Sequence, residues 1–347
     1  MNLAPILEKK QIHVCVPCRI DFGGTLDIST FYLPLAALKP ATLNLALDMR
    51  THVYLSAWEQ GRIKISSKGF DTIDRSRGEK GWDGPMGLMF AVFEYFNVHG
   101  VHLHIESESP VRSALGGSSC AAVAIIAAVY TALEKQINPE HIAWLAHYLE
   151  GAVAGVLCGV QDHAAAAFGG VNLWEWTFGH KSPEFLRCPV FDSHEKIEKL
   201  NRHLLVAYCG IPHESRDVNA RWVSDFKSGR AYDAFERITR LTRQFAGALG
   251  SFSFKEAARL MNQETAVRCE MTPDVLDHTG IKLWHAAKSE GCGARFTGAG
   301  GGGCLWAIGE ETDINKLKTQ WEKILDPIDG AMLLDAAIDP KGIFVYL

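Results

Sequence analysis

The stretch PVRSALGGSSC at residues 110–120 decides the fold, because it joins a strand pattern to a helix pattern. Residues 101–106 before it alternate between apolar and polar side chains, which is typical of a strand. Residues 121–133 after it are mostly small and apolar, which predicts a buried helix. Glycines let a backbone approach a phosphate closely, and free amides at a helix start attract an anion. The stretch therefore indicates a phosphate-binding loop, with a plain Ser/Gly helix start as the alternative.

This loop differs from two common nucleotide-binding loops. It lacks the lysine of a Walker A loop, and it lacks the G-x-G-x-x-G pattern of a dinucleotide-binding turn. Backbone amides and a metal ion must then neutralise a bound phosphate. The hydroxyls of Ser118 and Ser119 can cap the helix or ligate magnesium.

The composition excludes several classes of protein. The chain has 347 residues, enough for two domains, and its 47% hydrophobic and 22% charged content is that of a soluble globular protein. A net charge of −5 without a basic run argues against nucleic-acid binding, and no apolar stretch is long enough to span a membrane. Nine scattered cysteines argue against a disulfide scaffold. With no secretory leader pattern in residues 1–11, we expect a cytoplasmic protein.

The order of the predicted elements favours an α+β protein. Strand patterns precede helix patterns in each half without strict alternation, which argues against a doubly wound sheet. The polar, turn-rich residues 179–189 are the best boundary, so we expect domains at residues 1–184 and 185–347. Residues 71–83 and 211–219 are predicted to be surface loops.

Glu150 and Asp162 are the candidate acidic pair. They are twelve residues apart, which on one unbroken helix would separate them by about 18 Å. Gly151, Gly155 and Gly159 lie between them and can end the helix, so that both carboxylates reach one site. One would then ligate magnesium, and the other would orient or deprotonate an acceptor hydroxyl. The alternative is a pair of surface acids at a helix end.

A second glycine run, GAGGGGC, occupies residues 298–304 between two strand patterns. A hairpin turn needs only one or two glycines, so five in six positions indicate that another backbone or a phosphate approaches closely. A flexible turn is the alternative.

These stretches together resemble the GHMP kinase superfamily, which includes galactokinases, homoserine kinases and mevalonate kinases. PCRIDFGGTLD at residues 17–27, the stretch at residues 110–120 and TGAGGGGC at residues 297–304 resemble its three motifs, in order. GVQDHAAAAFGG at residues 159–170 is similar to the sugar kinases that phosphorylate heptose 7-phosphate. The resemblance covers nearly the whole chain.

The resemblance implies an N-terminal domain like domain 2 of ribosomal protein S5 and a ferredoxin-like C-terminal domain, with ATP, Mg²⁺ and the acceptor between them. It places Ser118 and Glu150 on magnesium and Asp162 beside the acceptor hydroxyl, with Arg19 neutralising the transferring phosphoryl group or setting the charge of Asp162. Asp27 would bind sugar hydroxyls. The residues implied at the nucleotide phosphates are Leu115, Gly116, Gly117, Ser118, Ser119, Gly300 and Gly301.

The sequence departs from the family pattern at several positions. Arg112, Ala114 and Gly117 replace Gly, Gly and Ser of the second motif, so Ser119 is an alternative metal ligand. Leu26 separates the usually adjacent Thr and Asp of the first motif, which puts the role of Asp27 in doubt.

His163, next to the proposed acceptor-site Asp, stands where a glutamine is usual, and we expect it in the acceptor site. This substitution leaves the identity of the acceptor open.

The sequence therefore predicts an ATP-dependent sugar kinase that phosphorylates an anomeric hydroxyl, with a heptose 7-phosphate as first candidate. Arg216 could bind the second phosphate bidentately, or it could be a solvated residue paired with Glu214 or Asp217. The alternatives are a galactokinase-like kinase of a neutral hexose and a non-catalytic sensor on the same fold. A homodimer is possible.

Overall fold

The computed structural model describes residues 1–154, 157–180, 182–212 and 215–346, with only the backbone described at Ala154 and at residues 215–217. The strands are β1 (Ile12–Gly23), β2 (Ala41–Ala57), β3 (Arg62–Ser67), β4 (Ile73–Ser76), β5 (Val101–Ser107), β6 (Val171–Phe178), β7 (Pro183–Pro189), β8 (Leu204–Tyr208), β9 (Gly293–Phe296), β10 (Cys304–Ile308), β11 (Met332–Leu333) and β12 (Phe344–Tyr346). The helices are α1 (Ala4–Leu7), α2 (Ser29–Tyr32), α3 (Gly87–Tyr95), α4 (Gly117–Ala132), α5 (Pro139–Ala154), α6 (Gln161–Phe168), α7 (His194–Asn201), α8 (Ser215–Lys227), α9 (Tyr232–Gly250), α10 (Phe254–Met271), α11 (His278–Ser289) and α12 (Glu311–Leu325), with a 3-10 turn at Ala36–Leu38.

The first sheet has eight strands in the order β12-β1-β2-β5-β3-β4, and β6 joins β2 to β7 beside this path. Helix α4 packs against β1 and β2 on one side and against α3, α5 and α6 on the other. A helix that is apolar all round must be buried, and the alanines of α4 let its neighbours approach closely. The predicted buried helix is therefore confirmed.

The second sheet has four antiparallel strands in the order β11-β8-β10-β9. Helices α10, α11 and α12 pack on its strands. Each unit combines a sheet with helices, which confirms the expected α+β class. None of the described helices is both long and apolar enough to cross a lipid bilayer.

The first sheet continues beyond the predicted domain boundary at residue 184. Strand β7 pairs with β6 from Pro183 to Pro189, and β12, at the end of the described chain, pairs with β1. Two loop predictions are partly wrong. Residues 71–83 contain β4, and helix α8 begins at Ser215 within the predicted loop at residues 211–219. Strand β12 forms because β1, distant in sequence, supplies its hydrogen bonds, which local turn residues do not reveal. Strands β4 and β7 instead pair with β3 and β6, the strands just before them in the chain.

A buried group of four charges joins the second unit to the first motif. Glu264 of α10 accepts a hydrogen bond from Arg295 Nε at 2.7 Å and one from Arg268 Nε at 3.2 Å. Arg295 Nη1 lies 3.3 Å from Asp21 Oδ2, and its Nη2 donates to Thr25 Oγ1 at 2.7 Å. All four charged side chains are fully buried, so two carboxylates balance two guanidinium groups.

We expect Glu264→Gln to destabilise the protein by about 3–5 kcal/mol, because it leaves two buried guanidinium groups opposite a single carboxylate. The free energy of unfolding, measured by urea denaturation, tests this expectation. The control is Glu256→Gln on the same helix, where an exposed pair with Arg259 is lost and stability should hardly change. Equal effects of the two substitutions would contradict the importance of the buried group.

Candidate functional site

Arg19 connects all three glycine-containing loops. Its Nε and Nη2 donate to Asp162 Oδ1 and Oδ2, both at 2.7 Å, and its Nη1 donates to the carbonyl of Ala114 at 2.5 Å. The same Nη1 lies 3.3 Å from Thr297 Oγ1 in the third loop. Burial opposes the positive charge of Arg19, but the bound carboxylate of Asp162 raises the pKa of the guanidinium above its usual value. The Asp162 side chain is 23% exposed, so this bidentate pair faces open space on its acidic side.

Only some of the residues that were predicted to bind phosphate in the second loop are exposed to solvent. Gly116 adopts a left-handed conformation with φ of 82° just before α4, and a Cβ atom there would lie 3.4 Å from Asp162 Oδ2. Gly117 and Ser118 are exposed at the first turn of the helix, whereas Ser119 is buried. The expectation for Leu115 needs correction: its side chain packs in the core, and its carbonyl accepts a hydrogen bond from Arg19 N.

Glu150 lies against the same turn of α4. Helix α5 ends at Ala154 and α6 begins at Gln161, so the predicted break between the two acids is confirmed. Ser119 Oγ donates to Glu150 Oε2 at 2.7 Å, and His163 Nε2 lies 2.7 Å from that oxygen, outside the angular range of a hydrogen bond. Burial would raise the pKa of Glu150, but His163 and the hydroxyls of Ser119 and Ser118 lower it to about 2.

The oxygens of Glu150 and Ser118 fit a magnesium ion that arrives with a nucleotide. Ser119 donates to Oε2 of Glu150, and the exposed Ser118 hydroxyl lies close enough to the same carboxylate to lower its pKa. No group of three or more His, Cys, Asp or Glu side chains in the described chain could hold a metal ion. Magnesium is usually held by one or two carboxylates together with substrate phosphates and waters, so two protein oxygens are a sufficient set.

Asp27 does not face the open side of the site, contrary to the expectation that it binds sugar hydroxyls. It is 5% exposed, and its Oδ2 and Oδ1 accept from the backbone and side-chain nitrogens of Gln161 at 3.0 and 3.4 Å. A Cβ atom on Gly159 would lie 1.7 Å from Asp27 Oδ2, so this position requires glycine. Asp27 therefore anchors the first turn of α6, which carries Asp162. Burial raises the pKa of Asp27 to about 7, with Asp162 and Asp21 adding to it and the Gln161 amide opposing it.

Two further expectations concern the acceptor side. His163 is fully buried, with Glu150 at its Nε2 and the ring of His147 at 5.6 Å, so it lies behind the site instead of lining it. The sequence shows only that His163 follows Asp162. Because consecutive side chains of a helix point about 100° apart, this adjacency does not place both side chains on the same side of α6. The side chain of Arg216 lies outside the described residues.

The third loop packs against protein backbone. Cβ atoms on Gly300 and Gly303 would lie 2.5 Å from the carbonyl oxygen of Val275 and 2.7 Å from that of Ser113. Gly300 is buried, which corrects its expected exposure to phosphate, while Gly301 is half-buried. Close approach by another backbone, one of the two expectations for this run, therefore explains these glycines.

Thr297 links the loops, a role that was not predicted from the sequence. The sequence identified this residue only as the first of the third motif. Its Oγ1 accepts from the backbone N–H of Asp21 at 3.0 Å and lies 3.4 Å from the carbonyl of Ala114. One hydroxyl thus links the third loop to the first and second. A threonine directly before a glycine run is the signal that could have indicated it.

The chain is similar to known kinases over both of its units. Residues 86–170 match the family model described as GHMP kinases N terminal domain, and residues 245–326 match GHMP kinases C terminal. The chain is 27% identical over 307 residues to a mevalonate kinase of Thermococcus onnurineus, covering 79% of this chain and 84% of that protein. It is 22% identical over 313 residues to D-glycero-alpha-D-manno-heptose 7-phosphate kinase of Campylobacter jejuni, covering 87% and 91%.

Solved structures share the fold. A D-glycero-D-manno-heptose 1-phosphate kinase from Bacteriodes thetaiotaomicron superposes with a TM-score of 0.75 at 17% identity, over 97% of this chain and 99% of that one. The galactokinase of Lactococcus lactis complexed with galactose superposes with a TM-score of 0.74 at 17% identity, over 97% and 95%.

We expect Asp27 to make folding stability depend on pH. Its pKa is raised from 3.8 to about 7 in the folded protein, so the folded chain holds a proton that the unfolded chain releases between these values. Stability contributed by this group should therefore fall as the pH rises through that window and level off above it. Asp27→Asn should remove this fall, worth on the order of 1–3 kcal/mol between about pH 5 and about pH 8.

Urea denaturation of the wild type and of Asp27→Asn at both pH values measures this effect. Asp225→Asn is the matched control, because that carboxylate pairs with Arg230 on the surface. A pH dependence in Asp27→Asn equal to that of the wild type would mean that Asp27 is ionised throughout.

Proposed function

We propose that this chain, which belongs to the GHMP kinases through both of its domains, transfers the terminal phosphoryl group of ATP to a sugar hydroxyl. Its family makes it an ATP-dependent phosphotransferase that acts on a hydroxyl group. A non-catalytic sensor is therefore no longer an alternative.

We further propose two domains that meet near the boundary predicted from the sequence, with β7 and β12 belonging to the N-terminal sheet.

The bidentate pair of Arg19 and Asp162 carries the proposal. Both oxygens of Asp162 bind Arg19, yet a carboxylate has about four acceptor sites, so each oxygen retains one for an acceptor hydroxyl. In the proposed reaction Asp162 orients that hydroxyl and takes its proton, while Arg19 holds the carboxylate in place. Phosphoryl transfer depends mainly on such positioning and on electrostatic stabilisation.

The nucleotide phosphates belong, in this proposal, at the amino terminus of α4. The half-buried Gly116 and the exposed Gly117 and Ser118 present backbone there, at the positive end of a sixteen-residue helix. Ser118 and Glu150 would hold the magnesium ion, which when bound neutralises negative charge that develops on the phosphates. Ser119 donates to Glu150, which favours Ser118 as the cation ligand. Gly301 would face the phosphates from the third loop.

A heptose 7-phosphate is the first candidate acceptor. The support is the run GVQDHAAAAFGG at residues 159–170, which forms the anchored start of α6, and the similarity of the chain to a heptose 7-phosphate kinase over 87% of its length. The second candidate is mevalonate, since a mevalonate kinase is 27% identical to the chain. A neutral hexose is the third, as in the galactokinase of the same fold.

We expect Asp162→Asn to lower kcat by about 10²–10⁴-fold while the affinity for a non-hydrolysable ATP analogue stays near that of the wild type. The reason is that this carboxylate contacts the acceptor and not the nucleotide. Single-turnover kinetics measure the rate, and calorimetric titration with AMP-PNP measures the affinity. A melting curve checks that the variant stays folded although Arg19 has lost its charged partner. Asp225→Asn is the control for loss of a surface carboxylate. Near-normal kcat in Asp162→Asn would remove Asp162 from the mechanism.

We expect the highest kcat/KM with a heptose 7-phosphate in an assay of ADP release that compares it with its dephosphorylated sugar, galactose and mevalonate. A preference for mevalonate would overturn the sugar assignment. A preference for a neutral sugar would replace the heptose phosphate by a plain hexose. If the ester is preferred, Arg216→Ala tests the proposed second phosphate contact, since guanidinium groups bind phosphate bidentately.

A further inference from the structure

Oε2 of Glu150 carries the contacts of this carboxylate with Ser119 and His163, while the Ser118 hydroxyl also lies near the carboxylate. Ser119 Oγ donates to Oε2 at 2.7 Å, and His163 Nε2 lies 2.7 Å from the same atom. The Glu150 side chain is 13% exposed. The two oxygens of Glu150 are therefore in different surroundings.

His163 lies between Glu150 and the ring of His147. The ring is fully buried, and neither nitrogen has a hydrogen bond of good geometry among the described residues. The ring of His147 lies edge-on at 5.6 Å, with its own Nδ1 3.8 Å from Cys158 Sγ. A buried imidazole without a partner is costly, so an apolar side chain would fill this space better if filling were the only role. The closeness of Nε2 to Glu150 indicates a role through that carboxylate.

We propose that His163 is a positioning residue that holds Oε2 of Glu150 and so directs Oε1 towards the cation of the nucleotide. This inference rests on the proposed function, in which Glu150 and Ser118 hold that cation. Residues that hold a ligand in the second layer around a metal ion commonly change its affinity by about 10–100-fold. Since His163 follows Asp162 in α6, a single turn of helix places both the acceptor-binding carboxylate and the residue that orients Glu150.

The test measures binding of Mn²⁺ by electron paramagnetic resonance in the presence of saturating AMP-PNP, which requires no turnover and no acceptor. His163→Leu should weaken Mn²⁺ binding by about 10–100-fold, and His163→Gln should recover most of the loss because its amide can donate to the same oxygen. AMP-PNP binding in the presence of EDTA should not change. His203→Leu is the control, because His203 is also buried but its contacts are with Gly309 and Phe254, which are not among the proposed cation ligands.

Mn²⁺ affinity in His163→Leu equal to that of the wild type would overturn the inference, as would a folded His163→Gln that binds as weakly as His163→Leu. Glu150→Gln distinguishes a failure of this inference from a failure of the proposed function. If Glu150→Gln weakens Mn²⁺ binding and His163→Leu does not, Glu150 is a ligand that needs no positioning by His163. If Glu150→Gln too binds Mn²⁺ normally, both the ligand assignment and the inference fail. Should His163→Leu not fold, His163→Asn takes its place, because the shorter amide stops short of Oε2, and unchanged Mn²⁺ affinity in that variant would equally overturn the inference.

Discussion

The bidentate pair of Arg19 and Asp162 is the interaction on which the site depends. Arg19 is buried, so its charge is tolerable only with a carboxylate and carbonyl groups around it. Those partners come from α6 and the second loop, and Thr297 brings in the third. A guanidinium has five donors in a fixed plane, so it can fix three chain segments at once, which a lysine could not. The loops are therefore aligned before any ligand binds.

The second constraint is the buried group of Asp21, Glu264, Arg268 and Arg295. It attaches the first motif to the second sheet, because Arg295 bonds the side chain of Thr25 and the carbonyl of Asp21. Removing one member would leave a buried charge without compensation, so the group ties the two units together more firmly than surface pairs do. The position of Arg19 two residues before Asp21 makes the site dependent on this attachment.

Two carboxylates near the loops differ in charge because their surroundings differ. Asp27 has a pKa near neutrality because it is buried, so it adds less negative charge than its type suggests. Glu150 stays ionised beside Ser119 and His163. A carboxylate that remains charged is suited to a cation, which is why we propose Glu150 and not Asp27 as the magnesium ligand.

The sequence by itself determined most of the strands and helices, the loop before α4 and the break between Glu150 and Asp162. Periodicity and glycine placement are local properties, and they are sufficient for such features. Only the tertiary structure decided that Leu115, Ser119 and His163 turn inward, that Asp27 anchors α6, and that residues 183–189 complete the first sheet. The directions of Asp27, Ser119 and His163 depend on Gln161 and Glu150 on other elements, and no local pattern encodes the direction of a side chain towards such a partner.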